Sequence, residues 1–245
     1  MTDDTTADGG DSLPNANDPI PTDYADRAQG MGVCLIDGNA AFRVWAPHAE
    51  AVAVTGTFDD WAAQPTGNKN DAKQVRSAKF QLVSEDNDYW YGQAAGARVG
   101  DEYRFVLMTG EQVISRIDPY ARHVTSSIGN GIITDPNAYD WEGDDFTPPT
   151  MNELVIYEMH VGTFFDKDPN DGKPAGLADV ESKIDHLVHL GVNAVELMPL
   201  MEFAGDYSWG YDPAHIFAVE SAYGGHPASA TLVLPPYSAI ITSRA

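Results

Sequence analysis

Glu102-Tyr103-Arg104-Phe105-Val106-Leu107-Met108, turning at Thr109-Gly110-Glu111 into Gln112-Val113-Ile114, is the stretch on which the fold of this chain turns. Aromatic and β-branched residues bounded by a glycine turn read as two antiparallel strands of a hairpin. Upstream, Cys34-Leu35-Ile36 is cut by Asp37-Gly38-Asn39, Phe42-Arg43-Val44-Trp45 stops at Ala46-Pro47, and Ala51-Val52-Ala53-Val54-Thr55 stops at Gly56. Lys79-Phe80-Gln81-Leu82-Val83 and Tyr89-Trp90-Tyr91-Gly92-Gln93 add two more runs. Short strands at this spacing, with no helical period from Met31 to about Val124, predict an antiparallel β-sandwich of the immunoglobulin-like early-set kind over 29–125.

The flanks differ in composition. Residues 1–28 hold seven Asp, three Pro and one Arg, too little apolar surface to offset the entropy of ordering, and are expected to form a disordered acidic tail. That tail carries −6 of the net −23, so −17 belongs to the rest of the chain. Such acidity disfavours nucleic acid and anionic membrane as partners. The preference for Asp (26, against 11 Glu) and the scarcity of Lys (6) suggest a salt-rich cytoplasm. Cys34 is the single cysteine and reads as a small buried apolar residue, which agrees with a reducing, cytoplasmic setting. No signal peptide pattern and no membrane-length apolar run are expected from these residues.

Asp135-Pro136-Asn137 and Thr147-Pro148-Pro149-Thr150 punctuate an expected linker over 126–150, after which the pattern changes. Leu154-Val155-Ile156-Tyr157-Glu158-Met159-His160-Val161 is a near-continuous apolar run, as in a strand covered on both faces. Leu177, Val180, Ile184, Leu187 and Val188 then recur at helical spacing, with Asp179 and Glu181 early, His186 and His189 late, and Gly191 as the stop. Ala194-Val195-Glu196-Leu197-Met198-Pro199-Leu200 is a second strand. The order is β-α-β, for which a parallel pair is expected.

Several of these segments resemble a known family. Phe42-Arg43-Val44-Trp45-Ala46-Pro47, Gly56-Thr57-Phe58-Asp59-Asp60-Trp61 and Arg116-Ile117-Asp118-Pro119-Tyr120-Ala121 resemble the N-terminal carbohydrate-binding sandwich of isoamylases and glucan branching enzymes. Val155–Phe164 and Gly191–Pro199 resemble the first two barrel strands of the α-amylase superfamily, and Ser208-Trp209-Gly210-Tyr211-Asp212-Pro213 with Phe217–Gly225 resembles the loop that follows. The closest likeness is to 1,4-α-glucan branching enzymes, with debranching enzymes and trehalohydrolases near behind. The resemblance implies a sandwich followed by the first βα units of an incomplete (β/α)₈ barrel over 151–225, and a divergent tail over 226–245. It stops at Gly225, where Pro235-Pro236 forbids a continuous helix. A full barrel takes ~250 residues, and 93 remain from Glu153. The chain is therefore expected to be truncated, and another reading frame beyond Gly225 to resume the family pattern.

Retaining glycosidases place two carboxylates ~5 Å apart across the scissile bond. The resemblance assigns them to later barrel strands, so no Asp or Glu here inherits the role, and the chain by itself is expected to be inactive. What carries over is contact with an α-1,4-glucan such as glycogen, starch or maltooligosaccharide. Tyr211 matches the tyrosine that packs on the sugar beside the cleavage point, and Trp209 and Asp212 share its loop. In the sandwich, Trp61 and Trp90 are candidate glycan contacts, whereas Trp45 and Tyr103 are expected in the core. A non-catalytic glucan-binding module, and a debranching or trehalose-releasing enzyme completed by another chain, are the competing readings. Glu196 reads as a structural carboxylate in a buried strand. Asp166-Lys167-Asp168-Pro169-Asn170-Asp171-Gly172 imitates the opening of a calcium loop, but its glycine falls one place late and Leu177 stands where the closing glutamate belongs. It reads as a solvated acidic loop. The seven histidines lack zinc spacing. No metal or cofactor is expected.

Overall fold

The computed structural model describes residues 30–36, 39–136, 138 and 149–224. The acidic tail, most of 137–148 and the divergent C-terminal tail lie outside the described residues. The first part contains β1 (Gly32–Ile36), β2 (Asn39–Trp45), β3 (Ala51–Gly56), helix α1 (Asp71–Arg76), β4 (Gln81–Ser84), β5 (Tyr89–Ala94), β6 (Glu102–Thr109), β7 (Gln112–Arg116) and β8 (Gly131–Ile132). All pairings are antiparallel, in the order β1-β2-β5-β4-β3-β6-β7, with β8 on β6.

Strand β4 is where the sheet turns over. Gln81 and Leu82 pair with β3, whereas Val83 and Ser84 pair with β5. The two halves therefore face each other as a sandwich. Strict alternation fills the space between them: Phe42 and Val44, Val52 and Val54, Leu82, Trp90, and Tyr103 and Phe105 all point inward. The rings of Phe42, Tyr103 and Phe105 meet edge to face at 5.1–6.3 Å, which adds orientation to the buried area.

The alternation also corrects the expectation for Trp45. Phe42 and Val44 occupy the core face of β2, so Arg43 and Trp45 take the other, and Trp45 is 56% exposed. Tyr103 is buried as expected. Cys34 is half-buried, not fully buried.

Two features of the sandwich carried no readable signal. Helix α1 spans under two turns, too few for a period to emerge. It packs Val75, with Ala63, on Ala51, Ala53, Val106 and Met108, the outer face of β3 and β6. Strand β8 lies within the segment read as a linker, and Ile133 beside it is fully buried. Its backbone N–H donates to Asp101 O at 2.9 Å and its carbonyl accepts from Gly100 N at 2.9 Å. The sandwich thus extends past 125.

The second part holds β9 (Ile156–Met159), α2 (Val161–Phe164), α3 (Leu177–Glu181), α4 (Ile184–His189), β10 (Ala194–Leu197), β11 (Met201–Phe203) and β12 (Pro213–Val219). β9 and β10 pair in parallel, Ile156 opposite Ala194 through Met159 opposite Leu197, as a β-α-β unit requires. The expected single helix is split. The Ser182 hydroxyl donates to Asp179 O at 2.6 Å and Lys183 N reaches back only to Val180 O, tightening the turn between α3 and α4. β11 and β12 form an antiparallel hairpin.

Coverage of β9 also differs from expectation. Met159 is buried, but Val155, Ile156 and Tyr157 are exposed, as are Val188 on α4 and Leu190 just after it. One partner strand and three short helices leave much of the strand to solvent, and the described residues contain no closed barrel. Glu196 is exposed on β10 for the same reason and needs no buried partner.

Candidate functional site

The β11–β12 hairpin presents the loop that holds Trp209, Tyr211 and Asp212. Its base is locked by two buried carboxylates. Glu220 accepts from Phe203 N at 3.0 Å and from Ala222 N at 2.9 Å, and Glu202 accepts from Ser221 N at 2.6 Å and Ser221 Oγ at 3.3 Å. Each acid thus ties one strand of the hairpin to the other strand's flank. Burial pushes the Glu202 carboxyl up, the Ser221 N–H draws it back, and the neighbouring Glu220 charge pushes it up again, leaving it above the usual carboxylate range. Burial, with Glu220 beside it, likewise raises the Tyr223 phenol.

His160, at the end of β9, anchors the loop itself. Its Nε2 lies 2.8 Å from Ser208 O and 3.1 Å from the Tyr223 hydroxyl, and its Nδ1 lies 3.1 Å from Thr163 Oγ1. A carbonyl only accepts, so in the neutral ring Nε2 carries the proton and Nδ1 accepts from Thr163. Ser208 Oγ then donates to Asp212 Oδ1 at 2.6 Å and accepts from Gly210 N at 3.1 Å. Asp212 is thereby a loop fastener. Gly210 has φ +82°, and a Cβ there would stand 2.2 Å from Pro199 O, so only glycine fits the turn between the two aromatic residues.

The outcome is a rigid loop with outward rings. Trp209 is 73% exposed and Tyr211 67%. Tyr207, which the sequence reading passed over, is also exposed while its hydroxyl donates to Gly172 O at 2.8 Å. Its only signal was a third aromatic residue in a short turn-rich segment. Trp209 borders a cleft of about 320 Å³ with His160, Thr163 and Met198. None of these four is acidic, and the two carboxylates under the loop are spent on backbone N–H groups. The arrangement suits stacking on a flat apolar ligand face with polar groups at the edge.

Trp61 and Trp90 are far apart in character. Trp90 is only 9% exposed, and its indole N–H donates to Ala46 O at 3.2 Å. It is a core residue and offers no face to a glycan, because β5 alternation turns it inward. Trp61 is half-buried in the loop after β3. Asp59 Oδ1 accepts from Thr55 Oγ1 at 2.8 Å and Gly56 N at 2.9 Å, and Trp61 N donates to Gly56 O at 2.9 Å. Asp60 and Trp61 are both left-handed, at φ 54° and 58°. Two consecutive non-glycine residues in that region are strained, and such strain persists where surrounding structure imposes it.

The hairpin also docks on the sandwich. Tyr120 stacks on Phe217 at 5.0 Å, Ala121, Val124 and Ala218 are buried together, and His215 Nε2 lies 3.0 Å from Ser127 O. Beside this junction Asp118 is fully buried, accepting from Tyr103 OH at 2.7 Å and Tyr120 N at 2.8 Å. Burial pushes its carboxyl up to about 6, against the pull of those bonds and of the charges on His215 and Arg122.

An antiparallel sandwich docked on a parallel β-α-β unit and an aromatic hairpin loop has known counterparts. Residues 29–121 match carbohydrate-binding module 48, the isoamylase N-terminal domain. The chain is 32% identical to malto-oligosyltrehalose trehalohydrolase of Saccharolobus solfataricus over 170 residues, covering 69% of this chain and 28% of that protein. It is also 32% identical to the 1,4-α-glucan branching enzyme of Salinibacter ruber over 197 residues, 75% of this chain and 29% of the enzyme. Pullulanase from Bacillus acidopullulyticus superposes with a TM-score of 0.59 at 26% identity, covering 85% of this chain and 27% of the pullulanase. The chain is thus of the α-amylase superfamily, with an isoamylase-type N-terminal module. Within it, the likeness is to the N-terminal part of 1,4-α-glucan branching enzymes. The chain spans less than a third of the length of these relatives.

Proposed function

We propose that this chain is the glucan-engaging N-terminal portion of a branching-type enzyme, and that by itself it holds α-1,4-glucan without cleaving it. The observation that carries this reading is the hairpin loop, in which Trp209 and Tyr211 are exposed while His160, Asp212 and Gly210 fix the backbone beneath them. Holding large rings rigidly in solvent sacrifices apolar burial, which a stacked pyranose restores. Cleavage with retention needs two carboxylates facing each other across the bond. Among the acids around the hairpin, Asp212 is bonded to Ser208 Oγ in the loop itself, and Glu202 and Glu220 are buried in backbone contacts. A neutral glucan also needs no steering field, so the −23 charge does not oppose its binding.

The test is affinity electrophoresis of the full chain in gels with and without glycogen, alongside iodine staining and reducing-end assays on amylose. Retardation without change in the amylose supports the proposal, and Tyr211→Ala should weaken the retardation. Mobility indifferent to glycogen, or turnover of amylose by the pure chain, overturns it.

A further inference from the structure

The two outer faces of the sandwich are treated differently. The face of β3 and β6 carries alanines, Val106 and Met108 and is covered by α1. The face of β2, β4 and β5 carries large aromatic residues, and no described element covers it. Register and alternation assemble it: Trp45 stands opposite Tyr89, Arg43 opposite Tyr91, and Val83 opposite Tyr91 from the other side. Trp45 and Val83 are exposed, and Tyr89 and Tyr91 are half-buried.

We propose that this face is a second α-glucan contact, separate from the Trp61 loop and from the hairpin loop, with Trp45 as its stacking ring. The inference rests on the glucan-binding reading above. Its cation is paired and its polar groups are oriented. The Arg43 guanidinium lies 4.6 Å above the Tyr89 ring, and its Nε is 2.7 Å from Glu85 Oε2. The cation and the carboxylate cancel, and one face of Tyr89 is already occupied. Gln93 Nε2 donates to Tyr91 OH at 3.0 Å, which orients an amide and a phenol at the edge of the platform. In a chain of net −23, a patch of indole, phenol and amide around one closed ion pair, with the acidic Asp88 at its edge, matches an uncharged polyhydroxyl ligand better than an anionic one. Cross-strand diagonal neighbours such as Trp45 and Tyr91 sit roughly 7–8 Å apart, so an extended oligosaccharide reaches both where a single sugar reaches one. Trp45 ends β2, whereas Trp61 follows the far end of β3, in the loop whose Ala63 packs on the opposite outer face. One short glucan therefore cannot satisfy both.

The experiment uses the full chain and two probes, glycogen in affinity gels and maltoheptaose in calorimetric titration. The variants are Trp45→Ala, Gln93→Ala, Trp61→Ala, Tyr211→Ala and the double variant of Trp45 and Trp61, each checked for an unchanged melting profile. Trp45→Ala is expected to weaken glycogen retardation by about tenfold, the scale of one lost stacking contact, and Gln93→Ala by a smaller factor. The double variant should be weaker than either single one. If the wild type is retarded and Trp45→Ala and Gln93→Ala match it, this inference falls while the proposed function stands. A wild type that glycogen does not retard removes both. Concentration-dependent self-association that Trp45→Ala abolishes, with glucan binding unchanged, assigns the face to a second copy of the chain and also overturns the inference.

Discussion

Asp118 offers the sharpest test of the structure. Its carboxyl is fully buried, and its proton affinity in the folded protein is raised to about 6 from 3.8. The folded state then holds this proton more tightly than the unfolded chain does. Stability from this group is therefore greatest below about pH 4, falls as pH rises between about 4 and 6, and stays at the lower level above that. The total span, at 1.36 kcal/mol per pH unit, is about 3 kcal/mol, of which about 1.3 kcal/mol lies between pH 7 and pH 5. Asp118→Asn keeps an acceptor for the Tyr120 N–H and removes the titration. Urea unfolding of wild type and variant, followed by circular dichroism at pH 5, 6 and 7, gives the comparison. The wild type should gain about 1.3 kcal/mol relative to the variant on going from pH 7 to pH 5. Tyr103→Phe removes a bond that favours the ionised form, so in that variant the transition should move to higher pH. Parallel pH profiles for wild type and Asp118→Asn would refute both the burial of this carboxyl and the junction built around it.

Other expectations concern the loop and the second part. Gly210→Ala drives a methyl into Pro199 O in a left-handed turn, and it should cut glycogen retardation at least as far as Tyr211→Ala while leaving the sandwich's melting unchanged. Glu202→Ala leaves the Ser221 N–H unpaired beneath the hairpin, at a cost of about 2–3 kcal/mol, seen as faster proteolysis after residue 200. With Val155, Ile156, Tyr157, Val188 and Leu190 exposed, limited proteolysis should cut after about residue 150 before it reaches the sandwich; equal protection of both parts would contradict the open β9–β10 sheet. The net charge of −23 should make the sandwich measurably more stable in molar salt than in low salt, because screening relieves self-repulsion; equal midpoints would argue against a salt-rich setting.

The strands were legible because each alternates and ends at a turn residue. Phe42, Val44, Tyr103 and Phe105 pack where period two puts them. Alternation alone does not say which parity of a strand faces the core; in β2 the core holds Phe42 and Val44, which leaves Trp45 outside with Arg43. Trp90 is the converse: its aromatic surface suggests a ligand contact, and only pairing with β2 and the bond to Ala46 O show that the indole is buried. Strand β8 and helix α1 were too short to leave a pattern. Tyr211 and Trp209 were found through resemblance, but the reason they are presented outward was not. It lies in His160, 48 residues before Ser208, and in Gly210 against Pro199, contacts between segments with no local signature.

Taken alone, the sequence determined the antiparallel sandwich, the parallel β-α-β unit, the family likeness and the acidic character. All four are written in local periodicity, turn residues and composition, which act over a few residues at a time. The tertiary structure decided which tryptophans face solvent, which carboxylates are buried, and that Asp118 sits sealed beside the junction of sandwich and hairpin. Those outcomes depend on pairing between strands distant in the chain, because solvent exposure and proton affinity are set by what packs against a group, not by its neighbours in sequence.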